Sequence, residues 1–288
     1  MRVLILGAGG MLGHKVWEIF RDRFDCRAAV RTRLPLPLFD DERVIDGFDA
    51  TNFDAVARLI ATTKPDVVVN CIGVVKQLAA AHDPIASITL NSLFPHIVAR
   101  ACAEAGARMI HISTDCVFAG TRGHYSEDDV PDASDLYGRS KLLGEVTEGA
   151  LTIRTSIIGR ELRTSNGLVE WFLSNRGGSV RGFTNAIFSG VTTATLARIL
   201  ADVIEQHPDL HGLYHVAGAA ISKYDLLMML NVATSAGVTI TPDDSFVIDR
   251  SLNATRFQAA TGLQPAEWSE MIAALAAESP QYERWRTE

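Results

Sequence analysis

Cysteine is scarce: four in 288 residues (Cys26, Cys71, Cys102, Cys116), with no C-x-x-C pair and no metal-ligand spacing among them. A disulfide-built fold and a cysteine metal site are both disfavoured. So few thiols in a chain this long read as reduced, in a cytoplasmic compartment. No apolar run approaches the roughly 18 residues that a membrane span needs. The apolar stretch at Val3–Leu6 is too short for a secretory signal. Clustered positive charge is also missing. The chain carries 27 Lys and Arg against 34 Asp and Glu, net -7, and its basic residues are scattered. Nucleic-acid binding requires a cationic surface that displaces counterions, so the composition argues against that class. It does not exclude one small anionic ligand held by a local pair of arginines. There are no repeats, no low-complexity tract and no long linker.

What is present alternates between two periods. Short β-branched runs occur at Val3–Leu6, Cys26–Val30, Arg43–Asp46, Val67–Asn70, Met109–Ile112 and Leu151–Arg154. Between most of them lie segments of helical spacing: Met11–Phe20, Phe53–Ile60, Pro84–Ala105 and Leu136–Val146. The link carrying Pro35 and Pro37 reads as loop. Such alternation predicts an α/β fold, a doubly wound parallel sheet covered on both faces, with ligands at the carboxyl ends of its strands. The second half is less regular, with helices expected at Gly167–Asn175, Thr192–Gln206, Ser222–Thr234 and Glu267–Ala277 and a strand at Gly212–Val216. Gly177-Gly178 and Pro242-Asp243-Asp244 read as turns. Two units are expected: residues 1–160, also receiving about 190–216, as a Rossmann-like dinucleotide domain, and 161–189 with 217–288 as a smaller α/β substrate lobe.

Gly7-Ala8-Gly9-Gly10-Met11-Leu12-Gly13 follows the first strand directly and opens a helix. Gly7 permits the tight turn, Gly10 lets the backbone approach a pyrophosphate, and Gly13 allows close packing of helix on sheet. The amides at the helix start, those of Met11 and Leu12 included, then face phosphate, helped by the helix dipole. The second strand ends in Arg31-Thr32-Arg33, without the carboxylate that suits an unphosphorylated ribose. Two guanidinium groups suit a 2′-phosphate, so NADPH is expected over NADH, with NAD still open. The alternative is that both arginines are solvated loop residues. Asp49, after the third strand, is a weaker candidate for the adenine end.

Tyr137-Gly138-Arg139-Ser140-Lys141 places a phenol and an ammonium one helical turn apart on one face. A free phenol is a poor acid–base group at neutral pH, and a nearby ammonium lowers its pKa. Alone the pair is a weak signal. It gains from its position, one loop beyond the strand ending His111-Ile112-Ser113-Thr114-Asp115, where a hydroxyl can polarise a carbonyl. The alternative is that Ser113 and Thr114 only cap a turn.

Together these residues resemble the extended short-chain dehydrogenase/reductase superfamily and, within it, the dTDP-4-dehydrorhamnose reductase family. The likeness is carried by Leu6–Gly13, Val69–Gly73, Asn91, Ile112–Gly120, Tyr137–Lys141 with Gly144-Glu145, Arg154-Thr155-Ser156, Gly212–His215 and Arg250–Asn253. It implies Tyr137 as proton donor, Lys141 as its partner, Thr114 as the hydroxyl on the ketone and Asp115 beside the sugar. It places Cys71, Ile72 and Gly73 along the cofactor channel. The implied reaction is hydride delivery to C4 of a nucleotide-linked 4-keto-6-deoxy sugar, in deoxysugar and polysaccharide precursor synthesis. Three departures lie on the substrate side: Cys116 replaces the family's usual tyrosine, Ile157 an aromatic residue, and Asn185–Thr192 an Asp-Gln-rich segment.

Arg250 is a candidate for the substrate diphosphate, with a surface ion pair as the alternative reading. His14 and His111 read as structural, and no metal site is expected. His207 and His211 read as surface loop, Glu127-Asp128-Asp129 as a solvated acidic cluster, and Trp171 and Phe172 as packing in the lobe. Two further function classes stay open. One is a nucleotide-sugar epimerase or dehydratase. The other is a non-catalytic NADP-binding subunit, since the regulatory subunit of methionine adenosyltransferase is similar to the same family. A homodimer also remains open.

Overall fold

The β-branched runs assemble into one sheet. In the computed structural model, β1 (Arg2–Leu6), β2 (Asp25–Ala29), β3 (Val44–Ile45), β4 (Val67–Asn70), β5 (Arg108–Ile112) and β6 (Ala150–Arg154) are joined by the strand Gly212–His215. Every neighbouring pair is parallel, in the order Gly212–His215, β6, β5, β4, β1, β2, β3. Strand order reverses between β1 and β4, so their carboxyl ends open a crevice. The structure describes residues 1–75 and 82–287; residues 76–81 and 288, inside the two expected units, lie outside that description.

Side chains alternate across a strand, and both faces of this sheet are covered. Val3, Ile5, Val69, Ile110 and Ile153 pack with the helices Gly13–Phe20 and Thr193–Gln206. Leu4, Leu6, Val68 and Met109 pack with Phe53–Thr63 and Phe94–Ala105. Each fully buried aliphatic side chain contributes about 1.5–3 kcal/mol. That exceeds any helix-propensity difference between residues, so burial against the sheet holds these helices in place.

Several sequence expectations change. The helix expected over Pro84–Ala105 is interrupted by a π-helical turn, Ile88–Leu93. Pro95 has no N–H to return to the Asn91 carbonyl, which Gly144 approaches so closely that a Cβ there would lie 1.8 Å away. The Arg31–Arg43 link is a loop with one 3-10 turn, Pro37–Phe39, tied down where the Trp17 indole donates to the Leu38 carbonyl at 2.8 Å. In the second half the expected helices form, but short strands went unforeseen. Ile157–Ile158 pairs with Val191–Thr192, and Ala186–Phe188 lies between Ile221–Ser222 and Ile248–Asp249. Pro242 and Asp243 do not form the expected turn: they end a strand, Thr239–Asp243, paired with Ser179–Phe183. In a two-stranded ribbon proline's missing donor faces outward at no cost to the ladder. Phe172 is buried as expected, whereas Trp171 is 39% exposed. Of the acidic cluster, Glu127 is buried and accepts the His215 N–H at 2.8 Å, so it is not a solvated group.

The helix Ser279–Thr287, also unforeseen, returns to the first helix. Its Tyr282 hydroxyl meets His14 Nε2 at 2.6 Å, and His14 Nδ1 meets the Gly10 carbonyl at 2.8 Å. Burial pushes the His14 pKa down to about 3, so the ring stays neutral. No helix among the described residues is long and apolar enough to cross a membrane.

Candidate active site

The glycine turn has the geometry its spacing implies. Gly7 sits at φ +84°, and a Cβ there would lie 2.7 Å from the Ile72 side chain. A Cβ on Gly13 would meet the Gly7 carbonyl oxygen at 2.1 Å. Both positions therefore require glycine for the fold itself. Gly10 differs: the only atom near its notional Cβ is the Gly7 oxygen at 3.4 Å, an ordinary contact. The space beside Gly10 is open, and a side chain would fill it. Gly7 and Ala8 both donate to the Ala29 carbonyl at 3.1 Å, while Met11 and Leu12 donate to no backbone carbonyl among the described residues. Free amides at the start of a helix suit phosphate oxygens.

The structure separates the two arginines after β2. Arg33 folds back: its guanidinium donates to the carbonyls of Phe39 (3.2 Å), Asp41 (3.4 Å) and Val44, bracing its own loop. Arg31 is exposed. The paired guanidinium clamp expected from the sequence is thus reduced to one side chain. Asp49 accepts from the Thr51 amide (2.9 Å) and hydroxyl (2.7 Å), and these bonds hold its carboxyl below the usual range, with a smaller effect from Arg31.

Cys71, Ile72 and Gly73 leave β4 directly under the glycine turn. Ile72 is the residue that Gly7 nearly touches, and its amide is held by Asn70 Oδ1 at 3.0 Å. Burial pushes the Cys71 thiol up to about 12, so it is no nucleophile. Gly73 lies against Lys141: a Cβ there would stand 3.8 Å from Nζ. Asn91, in the π turn, donates to the Val74 carbonyl and accepts from its amide (3.1 and 2.8 Å), and donates to the Ser140 hydroxyl at 3.2 Å. The widened turn therefore joins the β4 loop to the helix Leu136–Leu143, which carries Tyr137 and Lys141. Asp135 caps that helix, accepting the Gly138 amide at 2.8 Å.

At the end of β5 the two hydroxyls part company. Ser113 turns inward and donates to Glu145 Oε1 at 2.6 Å; Glu145 is held bidentately by Arg154 (2.8 and 2.8 Å). Thr114 lies beside Tyr137; its hydroxyl donates to Asp115 Oδ1 at 3.1 Å and accepts from the Cys116 amide at 3.2 Å. Lys141 is buried and donates to the Ile112 carbonyl at 2.7 Å; burial holds its pKa down to about 8, with Glu145 opposing. The phenol does not follow the sequence expectation. Burial first and the neighbouring Cys116 next push the Tyr137 pKa up, Thr114 pulls the other way, and Lys141 is not among the charges that set it. The phenol is therefore a held proton rather than a poised phenolate.

Beyond Thr114 stands Asp115, buried and with its pKa raised by desolvation against the pull of Arg250 and Lys223. Arg250 is no surface ion pair: Nε donates to the Phe118 carbonyl at 2.7 Å, and a terminal nitrogen lies 3.8 Å from the Cys116 sulfur. Lys223 was missed by the sequence reading. Its Nζ stands 3.8 Å over the Phe188 ring, and it senses Asp115 and Cys116. The available signal was a lysine opening a helix straight after a serine cap, where the helix dipole opposes it.

Comparison with known proteins extends this picture. The family model described as the RmlD substrate binding domain matches residues 1–280. Methionine adenosyltransferase 2 subunit beta of Bos taurus is 30% identical over 238 residues, covering 78% of this chain and 70% of that protein. The dTDP-4-dehydrorhamnose reductase of Aggregatibacter actinomycetemcomitans is 27% identical over 301 residues, covering 94% and 97%. A crystal structure of dTDP-4-dehydrorhamnose reductase from Bacillus anthracis in complex with NADP superposes with a TM-score of 0.80 at 24% identity, covering 96% of this chain and 99% of that one.

Proposed function

The chain belongs to the RmlD substrate binding domain family, and on that premise we propose that it is an NAD(P)H-dependent reductase of a nucleotide-linked deoxysugar intermediate, with a 4-keto-6-deoxy sugar as substrate. The observation that carries this reading is one helix, Leu136–Leu143, that sets the Tyr137 phenol beside Thr114 and, one turn on, the buried Lys141 ammonium beside the loop Cys71–Gly73, which also touches the glycine turn. The open space at Gly10 and the free Met11 and Leu12 amides fit a dinucleotide pyrophosphate. Arg31, not Arg33, is the side chain available to a 2′-phosphate, and the lack of a carboxylate there favours NADPH.

A bound nicotinamide supplies the reducing equivalent to the ketone carbon. Thr114 donates a hydrogen bond from Oγ1 to the ketone oxygen, which favours the charge that develops there. Tyr137 keeps its proton on Oη at neutral pH and delivers it to the same oxygen. Lys141 positions the cofactor ribose from its anchor on the Ile112 carbonyl. Residues 1–160 with about 190–216 act as the cofactor domain, a division supported by the strand Gly212–His215 completing the sheet. Residues 161–189 and 217–288 act as the substrate lobe, which sends Lys223 and Arg250 to the Asp115 edge. The reading places the protein in the cytoplasm, its thiols reduced, and is compatible with a homodimer.

The test is oxidation of NADPH against a panel of dTDP-, UDP- and GDP-linked 4-keto sugars. Tyr137→Phe should bind NADPH as the wild type does and lose about a hundredfold or more in turnover; undiminished turnover would refute the assignment. Stoichiometric cofactor consumption separates a reductase from an epimerase or dehydratase, which return the hydride to the sugar. A second reading, a non-catalytic subunit, is favoured by the 30% identity to the bovine subunit beta. A stoichiometric partner on purification, with no turnover on any keto sugar, would select it.

A further inference from the structure

Lys223 sits where a lysine is expensive. It is the first residue of the helix Lys223–Thr234, behind the Ser222 cap that accepts the Asp225 amide at 3.0 Å, so the helix dipole opposes its charge. It is also half-buried, and desolvation opposes the charge again. The Phe188 ring and the charge of Asp115 oppose these costs without reversing them. Among the described residues Lys223 makes no hydrogen bond and no salt bridge, and its Nζ rests on the face of Phe188. The groups it senses lie across the site, Asp115 first and Cys116 next. Arg250 reaches the same segment from the lobe. Two cations thus face a wall with one carboxylate, and one of them has all its donors unused. Cys116 is also the group that most affects Tyr137 after burial, so Lys223 and Tyr137 flank the same residue.

We propose that Lys223 is a substrate-contacting residue that determines sugar specificity, its ammonium donating to an oxygen of the sugar ring across from Thr114 and Tyr137. The inference rests on the reading of this site as a nucleotide-sugar site. Phe188 orients the ammonium from below, as an aromatic face does for a cation, and Asp115 accepts from a neighbouring sugar hydroxyl. The diphosphate is left to other groups, because Lys223 shares its neighbour with the residue nearest the reacting carbon. Cys116, smaller than an aromatic side chain, leaves the ammonium a direct line to the sugar.

The test compares Lys223→Met, which keeps an apolar stem on Phe188, with Lys223→Arg, which keeps the charge. Calorimetry reads the affinity of each for dTDP-rhamnose, for dTDP alone and for NADPH. Lys223→Met should weaken dTDP-rhamnose about tenfold or more, the scale of one charge-assisted hydrogen bond. It should leave dTDP and NADPH unchanged, and Lys223→Arg should recover part of the loss. Unchanged dTDP-rhamnose affinity in Lys223→Met overturns the proposal. So does an equal loss for dTDP, which would put the ammonium on the diphosphate. These arms use a non-reacting sugar, so absence of NADPH oxidation by the wild type fails the reductase reading separately. A wild type that binds neither dTDP-rhamnose nor its UDP- and GDP-linked counterparts removes the sugar site and this proposal with it.

Discussion

Glu145→Gln removes one charge from a pair that is largely shielded from water. Glu145 and Arg154 are 6% and 3% exposed and joined by two bonds of 2.8 Å, and Glu145 also accepts the Ser113 hydroxyl at 2.6 Å. With glutamine at 145 the Arg154 guanidinium stays charged and buried. Its other neighbours are the Phe118 ring at 5.2 Å and the His215 ring, whose pKa burial holds down to about 4, so neither neutralises it. Leaving one partner of a buried pair alone costs about 3–5 kcal/mol. With about 2.1 cal/mol/K of unfolding entropy per residue over 288 residues, this converts to a fall in Tm of about 5–8 °C. The double variant Glu145→Leu/Arg154→Met should recover more than half of that, because removing both charges restores a matched apolar contact. Circular-dichroism melts at neutral pH read all three proteins. A single variant melting within about 1 °C of the wild type, or a double variant melting below the single, refutes the reasoning.

The two kinds of glycine in the first turn should separate cleanly. Gly13→Ala drives a Cβ into the Gly7 carbonyl and should destabilise by about 3 kcal/mol or more, seen as lost soluble protein or a depressed melt. Gly10→Ala should melt like the wild type yet weaken NADPH about tenfold or more by fluorescence titration; equal effects from both substitutions would contradict this division. The lowered Lys141 pKa predicts an alkaline limb in kcat/KM: the ammonium is lost as pH rises through about 8, while the raised Tyr137 stays protonated. A profile flat to about pH 10, the range of a free lysine, would sink that assignment. For stability the sign is opposite. Between pH about 8 and the ordinary lysine value of 10.5 the folded chain holds fewer protons on Lys141 than the unfolded chain, so the destabilisation from its burial is relieved as pH rises through that window.

The parallel sheet was legible because the middle strands are buried on both faces, so that Val67–Val69 and Met109–Ile110 run apolar without alternation. The glycine turn was legible because its constraints are local, two of its four glycines, Gly7 and Gly13, being required by atoms within the same turn or just beneath it. What could not be read depends on partners far along the chain. Arg33 looked free until the Phe39, Asp41 and Val44 carbonyls were seen to hold it. Tyr137 looked ready to ionise beside Lys141 until its burial and the Ile112 carbonyl's claim on the ammonium were visible. Strands as short as Ile157–Ile158 or Ile221–Ser222 leave no periodicity to detect. Lys223 carried its signal in a helix cap, but the ring beneath it comes from a different strand.

In the thread from Gly10 through His14 to Tyr282, the last step joins residues 268 apart in sequence, though the loop it steadies is itself seven residues long. Grip on a dinucleotide therefore doubles as a gauge of whether the far helix is docked. A chain that frays there would loosen its hold on the pyrophosphate while its sheet, spectroscopically, still looked intact.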